Sequence, residues 1–250
     1  MRNAAGWVKA IARRALPSFV QRQLRAYYLT RKVLGNGEYL EPEMAVLHSL
    51  VSVGQVVVDI GANVGFYTRL LSELVGPSGH VYSFEPVSDN YRVLSQVVGR
   101  GGLANVKTFF AAVDHQPGDN DMIIPDKSDF TGFYQARLAM KEDSGRRQHV
   151  KVVSLDQLWN DGILPTVDFI KCDAEGSELG ILKGGLRLLT KSKPSLLLEI
   201  QRKTSAEVFD LLHAVGYKSY VLNAGFAEIS HFDPEFWNYF FFYPNEAPQP

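Results

Sequence analysis

The chain predicts an α/β fold: a doubly wound, mostly parallel sheet of seven strands, one of them reversed at the edge, with an N-terminal helical extension. Three observations carry this expectation. Short apolar runs alternate with amphipathic stretches along most of the chain. Acids stand at the ends of these runs: Asp59, Glu85, Asp114, Asp173 and Glu199. Two further strand-like runs come close together near the end, as a reversed strand requires.

The N-terminal segment, residues 1–37, carries Arg2, Lys9, Arg13, Arg14, Arg22, Arg25, Arg31 and Lys32 and no acid. Apolar residues such as Trp7, Ile11, Phe19, Leu24, Tyr27 and Tyr28 are interleaved with them. This pattern reads as basic amphipathic helix. Its plainer reading is a helix pair packed on the domain with solvated arginines; the sharper one is contact with an anionic membrane or a partner. No apolar stretch reaches the length of a membrane span or a signal-peptide core. The main domain is expected over residues 38–243, and 244–250 reads as a disordered tail.

Val56-Val57-Val58-Asp59-Ile60 reads as a buried parallel strand, and Gly61-Ala62-Asn63-Val64-Gly65 as a tight loop into a helix over Phe66–Val75. His80–Phe84 is the second strand, tipped by Glu85-Pro86, and Ser88 opens the next helix. Asn105–Val113 reads as one strand ending at Asp114. Residues 114–148 are irregular, with a short strand at Met122–Ile124; so long an insertion is usually functional. Further strands follow at Val150–Val153, Val167–Cys172, Ser195–Ile200, Tyr217–Leu222 and Tyr239–Tyr243. Helices are expected near Ser154, over Ser177–Leu189 and over Ser205–Val215.

Of the 250 residues, 46% are hydrophobic and 21% charged, which suits a soluble globular chain with one large core; net charge is −1. The single cysteine, Cys172, excludes an internal disulfide and is expected to be buried. A cytoplasmic location follows, with the basic segment as a candidate for peripheral contact with the inner face of the membrane.

In a doubly wound sheet, ligands sit at the carboxyl ends of the strands. The loop Asp59-x-Gly61-x-x-x-Gly65 is one glycine short of a dinucleotide fingerprint, and a pyrophosphate would be repelled by Asp59. The Gly-Lys-Ser/Thr of a phosphate-binding loop is absent. An acid before a glycine loop suits a cationic ligand without phosphate. S-adenosyl-L-methionine is such a ligand, and Glu85 stands where a carboxylate accepts both ribose hydroxyls.

Asp59–Thr68 together with Gly76–Pro86 resembles the FkbM family of S-adenosylmethionine-dependent methyltransferases, within the class I, Rossmann-like superfamily. Ile170-Lys171-Cys172-Asp173-Ala174-Glu175-Gly176-Ser177-Glu178 is similar to its second signature, and Glu38–Glu43 to its lead-in. The resemblance runs over about residues 38–243. Gln96 and Cys172 depart from it modestly. It implies methyl transfer to a hydroxyl of a glycan, lipid-linked sugar or secondary metabolite.

The expected cofactor-binding residues are Asp59, Gly61, Ala62, Asn63, Gly65, Glu85, Pro86, Val113 and Asp173. Asn90 is a further candidate on the adenosine side, and Asp114 is a candidate acceptor for the adenine amino group. The sulfonium is already activated, so most of the catalysis is positioning. A hydroxyl must still lose its proton, and the candidate bases are Asp173, Glu175 and Glu199, in that order, with His115 behind them. The plainer reading of Asp173 is loop architecture or a contact with the methionine ammonium, and that of Glu175 is anchoring the helix that starts at Ser177. A Mg²⁺ ion held by Asp173, Glu175 and Glu199 is a minor alternative, since no spacing here is a ligand motif; no metal is expected. Phe130, Phe133, Tyr134, Arg137, Trp237 and Tyr239 are read either as an acceptor wall or as core and edge residues.

Asp173-Ala174-Glu175-Gly176 stands where methyltransferases of nitrogen often carry Asn/Asp-Pro-Pro-Tyr/Phe, which argues against a nitrogen acceptor. A nucleic-acid module would rest on the basic segment alone, and no RNA-recognition motif supports it. A dead cofactor fold acting as a scaffold is opposed by the intact Asp59, Gly61, Gly65 and Glu85.

Overall fold

The computed structural model describes residues 16–35, 41–124, 137–138 and 146–244. The helices are α1 (Ser18–Leu34), α2 (Pro42–Leu50), α3 (Phe66–Val75), α4 (Ser88–Gly101), α5 (Leu155–Asn160), α6 (Glu178–Lys183), α7 (Leu186–Ser192) and α8 (Ser205–Ala214). The strands are β1 (Val56–Ile60), β2 (His80–Phe84), β3 (Val106–Phe109), β4 (Ala112–Val113), β5 (Gly118–Ile124), β6 (Arg137–Leu138), β7 (Arg146–Val153), β8 (Phe169–Cys172), β9 (Ser195–Glu199), β10 (Lys218–Leu222), β11 (Phe226–Ile229) and β12 (Asn238–Phe242).

The α/β class is as expected, but the described residues form two sheets rather than one. The main sheet has eight strands in the order β11-β10-β12-β9-β8-β1-β2-β3. From β9 to β3 all neighbours are parallel. The eighth strand, β11, forms a hairpin with β10 at the edge. Two strands run against the others: β11, at the edge as expected of a reversed strand, and β12, which lies inside the sheet between β9 and β10, antiparallel to both. The sequence of β12 explains its place. Tyr239, Phe240, Phe241 and Phe242 are all fully buried. Tyr239 and Phe241 face one layer, Phe240 and Phe242 the other. Such a strand is stable only with both faces and both edges covered, and each aromatic so buried contributes about 1.5–3 kcal/mol.

Alternation divides the parallel strands in the same way. Val58, Ile60, Tyr82, Phe84, Ile170, Cys172, Leu196 and Leu198 pack towards α6, α7 and α8. Val57, Val81, Phe169 and Leu197 pack towards α2 and α3, where Met44, Leu47, Leu71 and Val75 meet them. The stripe Tyr67, Leu70, Leu71, Val75 is the buried side of α3, and the Arg69–Glu73 pair, 2.8 Å apart, lies on its outer side.

The second sheet has the order β4-β7-β5-β6. The segment expected to be one strand over Asn105–Val113 breaks after Phe109, and Ala112–Val113 pairs with β7 instead. The bend lets one segment serve two sheets. The region expected to be irregular contains the long antiparallel pair β5–β7, whose Met122, Ile124, Val150 and Val152 close over Val87 and Ala112. Polar residues on its outer side hid that pairing from a search for apolar runs.

The basic segment is a helix over α1, packed on α4. Ala26, Leu29 and Val33 meet Val64, Val93 and Val97, and Arg69 donates to the carbonyls of Val33 and Gly35 at 2.8 Å. That half of the segment is built into the domain rather than appended to it. No described helix is long and apolar enough to cross a membrane. Of the expected tail, all but Pro244 lies outside the described residues.

Candidate functional site

The parallel strands end in register. Ile60 pairs with Phe84 and with Cys172, and Cys172 with Leu198. The residues that follow are therefore delivered to one rim: Gly61, Glu85, Asp173 and Glu199. There they border a cleft of about 240 Å³.

Six of the nine expected cofactor-binding residues line this cleft: Gly61, Asn63, Glu85, Pro86, Val113 and Asp173. Asp59, Ala62 and Gly65 do not. Asp59 is fully buried below the loop, where one carboxylate oxygen accepts from the Thr68 hydroxyl at 2.6 Å. Its other oxygen meets no partner among the described residues. Gly65 lies in the left-handed region, and a Cβ there would press on Leu94 of α4 at 3.0 Å. Gly61 is also left-handed, and a side chain there would run into the backbone of Asp173. Gly61 is thus required by chain-on-chain packing, and Gly65 by its left-handed backbone at φ +97°.

Glu85 is buried at the base of the cleft. One of its oxygens accepts from the Asn63 N–H and the other from the Val87 N–H, both at 2.8 Å. Burial pushes its carboxyl up to about 7 against the opposing pull of those two donors. Each oxygen keeps a lone pair for a ligand hydroxyl.

The segment after Glu85 is gripped from two sides. Gln148 of β7 donates to the Pro86 carbonyl at 2.5 Å and accepts from the Ser88 N–H at 3.0 Å. From α1, Arg25 donates to Asn90 Oδ1 at 2.9 Å. Neither contact was visible in the sequence, because each joins residues more than fifty positions apart.

The other side of the cleft is acidic, lined by Glu41, Asp173, Glu175 and Glu199. Lys171, buried on β8, lies below them. Its ammonium is 3.4 Å from Asp173 Oδ2, 3.4 Å from the Gly61 carbonyl and 4.9 Å from the Tyr67 ring centre. Burial works against that charge, but Asp173 and Asp59 outweigh it and hold Lys171 above the usual lysine value. The Tyr67 hydroxyl donates to Glu41 at 2.6 Å. Burial, then the charges of Asp173 and Glu178, lift Glu175 to about 7. Burial, then Asp173 and Glu175, lift Glu199 to about 8. Glu175 also holds a left-handed backbone, φ +51°, uncommon for a residue with a side chain.

Glu178, to which the sequence assigned no role, organises this loop. Its carboxylate accepts from Ala174 N–H at 3.1 Å and Gly176 N–H at 3.0 Å. Glu41 was visible only as part of the family lead-in. Met122 reaches the cleft from the second sheet. Asp114, expected near the adenine, does not line the cleft and packs against Gly180 of α6. Tyr239 is core, and Trp237 is 72% exposed and does not line the cleft. Phe130, Phe133 and Tyr134 lie outside the described residues, as does the side chain of Arg137. Cys172 is buried, and that burial raises its thiol. Among the described residues, no three of His, Cys, Asp and Glu converge as metal ligands would.

This donor and acceptor set fits a nucleoside with a cationic amino-acid arm. Ile60, Phe84, Val87, Ala111, Ala112, Val113 and Met122 offer apolar surface for a flat base. Glu85 offers acceptors for ribose hydroxyls. Asn63 Oδ1, buried and unpaired among the described residues, and Asp173 are acceptors for an ammonium.

A family model described as Methyltransferase FkbM domain matches residues 59–219. A protein-L-isoaspartate O-methyltransferase from Methanothrix thermoacetophila is 32% identical over 114 residues, which is 38% of this chain and 54% of that protein. One of the same name from Methanocella arvoryzae is 31% identical over 97 residues, covering 36% of this chain and 52% of the relative. The chain thus spans about half the length of these curated relatives. Among solved structures, methyltransferase FkbM from Methylobacillus flagellatus KT is similar with a TM-score of 0.49 at 21% identity, covering 76% of this chain and 44% of the other. A precorrin-6y C5,15-methyltransferase from Geobacter metallireducens GS-15 gives a TM-score of 0.49 at 16% identity, covering 83% and 90%.

Proposed function

Because the chain belongs to the FkbM family of S-adenosylmethionine-dependent methyltransferases, we propose that it methylates a hydroxyl oxygen of a glycan, a lipid-linked sugar or a secondary metabolite. The observation that carries this reading is the pair Glu175 and Glu199 on the acidic side of the cleft, with carboxyls raised to about 7 and about 8. A hydroxyl needs a base near neutrality, whereas a neutral amine attacks through a free lone pair. A carboxylate acceptor would meet the acids Glu41 and Asp173 on the same side of the cleft.

S-adenosylmethionine, when bound, supplies an electrophilic methyl on sulfur. Glu85 and Asn63 hold the nucleoside and amino-acid ends, and Asp173 contributes negative charge near the cation. The chemistry the cofactor would supply is a methyl carbon whose bond to sulfur breaks as the acceptor oxygen bonds to it. Glu199 takes the hydroxyl proton, with Glu175 sharing the titration. The products are a methyl ether, S-adenosylhomocysteine and a protonated Glu199. Asp173, ranked first by sequence, is instead paired with Lys171 at 3.4 Å at the base of the acidic side.

The test is transfer of labelled methyl to a panel of sugars, lipid-linked sugars and phenolic metabolites, followed by mapping of the methylated atom. A methyl ether supports the reading, and a methylated nitrogen or a methyl ester overturns it.

A second reading concerns residues 1–37. Leu24, Tyr27 and Tyr28 are exposed on the outer side of α1, beside the basic side chain Arg31. We place this face against the inner, anionic surface of the cytoplasmic membrane. Flotation of the full chain with anionic vesicles should be lost on Leu24→Glu with Tyr28→Glu. Equal flotation of the variant would sink the idea.

A further inference from the structure

α1 reaches the cofactor cleft through one buried contact. Asn90, at the start of α4, is 1% exposed and lines the cleft beside Glu85 and Val87. Arg25 of α1, 7% exposed, donates to Asn90 Oδ1 at 2.9 Å and lies 3.5 Å from the Asp89 carbonyl. A guanidinium only donates, so the oxygen of the Asn90 amide must face Arg25 and its NH₂ must face away. Among the described residues no protein acceptor meets that NH₂. Asn90 lines the cleft, so this donor stands, nearly closed off, in a wall that otherwise offers the acceptor Glu85 and apolar surface.

We infer that Asn90 donates its side-chain N–H to the adenosine part of the bound cofactor, and that Arg25 is a positioning residue which sets this donor. This rests on the cofactor being S-adenosylmethionine. A nucleoside presents ring nitrogens and ribose oxygens that accept, alongside the hydroxyls that donate to Glu85. Asn90 supplies the donor that Glu85 cannot. α1 is held for this task, because Ala26, Leu29 and Val33 pack on Val64 in the glycine loop and on Val93 and Val97 of α4. The helix therefore backs both segments that meet the cofactor, and the N-terminal segment sets cofactor affinity.

The experiment is calorimetry of the full chain with S-adenosylhomocysteine, paired with thermal unfolding. Asn90→Ala should bind at least tenfold more weakly. Asn90→Asp is the decisive variant: it keeps, and charges, the partner of Arg25, so its unfolding midpoint should match or exceed wild type. It replaces the donor by an acceptor beside Glu85, so its affinity should fall at least tenfold. Arg25→Met should weaken binding several-fold in the wild-type background and cause no further loss in Asn90→Ala. Asn90→Asp binding within twofold of wild type would overturn the inference. So would an Arg25→Met loss that is equal with and without the Asn90 amide, the mark of a merely structural role. Folded wild type that does not bind S-adenosylhomocysteine would instead overturn the assignment of the cleft itself.

Discussion

A Cβ on Gly61 would lie 1.8 Å from the backbone carbonyl oxygen of Asp173. The loop after β1 and the loop after β8 touch main chain to main chain, and this contact sets the spacing of the cleft walls. Gly61 also sits at φ +72°. Gly61→Ala should therefore destabilise the fold by about 3–5 kcal/mol, from backbone strain and a clash that no rotamer relieves. Urea unfolding measures it, and a loss under about 1 kcal/mol would show that the loops separate easily.

Lys171 is the buried counter-charge for Asp59 and Asp173. Lys171→Met should cost about 3 kcal/mol, because Asp59 would be left buried and uncompensated. Adding Asp59→Asn should recover part of that loss. Strictly additive losses in a double-mutant cycle would show that the two charges do not interact.

Glu85 and Glu175 both line the cleft, but only Glu85 holds the backbone of both cofactor loops. Glu85→Ala should weaken S-adenosylmethionine binding about tenfold to a hundredfold, the worth of charge-assisted hydrogen bonds. Glu175→Ala should change it little. Equal affinities by calorimetry would remove the ribose assignment from Glu85.

Glu199 titrates near 8 in the fold against an ordinary value near 4.5. As the proposed base it must be ionised, so turnover should rise with pH and level off above about 8. Glu199→Gln should abolish that rise. Asp173→Asn should move it to lower pH, because the charge of Asp173 is, after burial, the largest cause holding Glu199 up. A pH–rate profile unchanged in Glu199→Gln would transfer the role elsewhere.

The same groups link stability to pH in the opposite sense. A carboxyl raised on folding leaves the native state holding more protons than the unfolded chain between its two titration points. Stability of the cofactor-free protein should thus fall as pH rises from about 5 towards 8, as Glu85, Glu175 and Glu199 ionise in place. Thermal midpoints across that range check it. A midpoint that climbs with pH would mean these carboxyls are less confined than the cleft implies.

The strand–loop–helix at Val56–Val75, the rim acids Glu85, Asp173 and Glu199, and the apolar alternation of the sheet were legible in the sequence, because each depends on neighbours a few residues away. Strand period, glycine placement and strand-end acids are local signals. The tertiary structure alone decided the rest. Asp59 looks like a rim acid in the sequence, yet it turns below the loop to Thr68 because the register places its side chain on the face covered by α3. Asp114 follows a strand of the second sheet and leaves the cleft for α6. Which of the late strands lies inside was not legible, and burial of four successive aromatics draws β12 there. The grip of Gln148 on Pro86 and of Arg25 on Asn90, and the raised carboxyls of Glu175 and Glu199, depend on distance and burial between segments far apart in the chain. Those quantities are set when the layers pack, and no local pattern carries them.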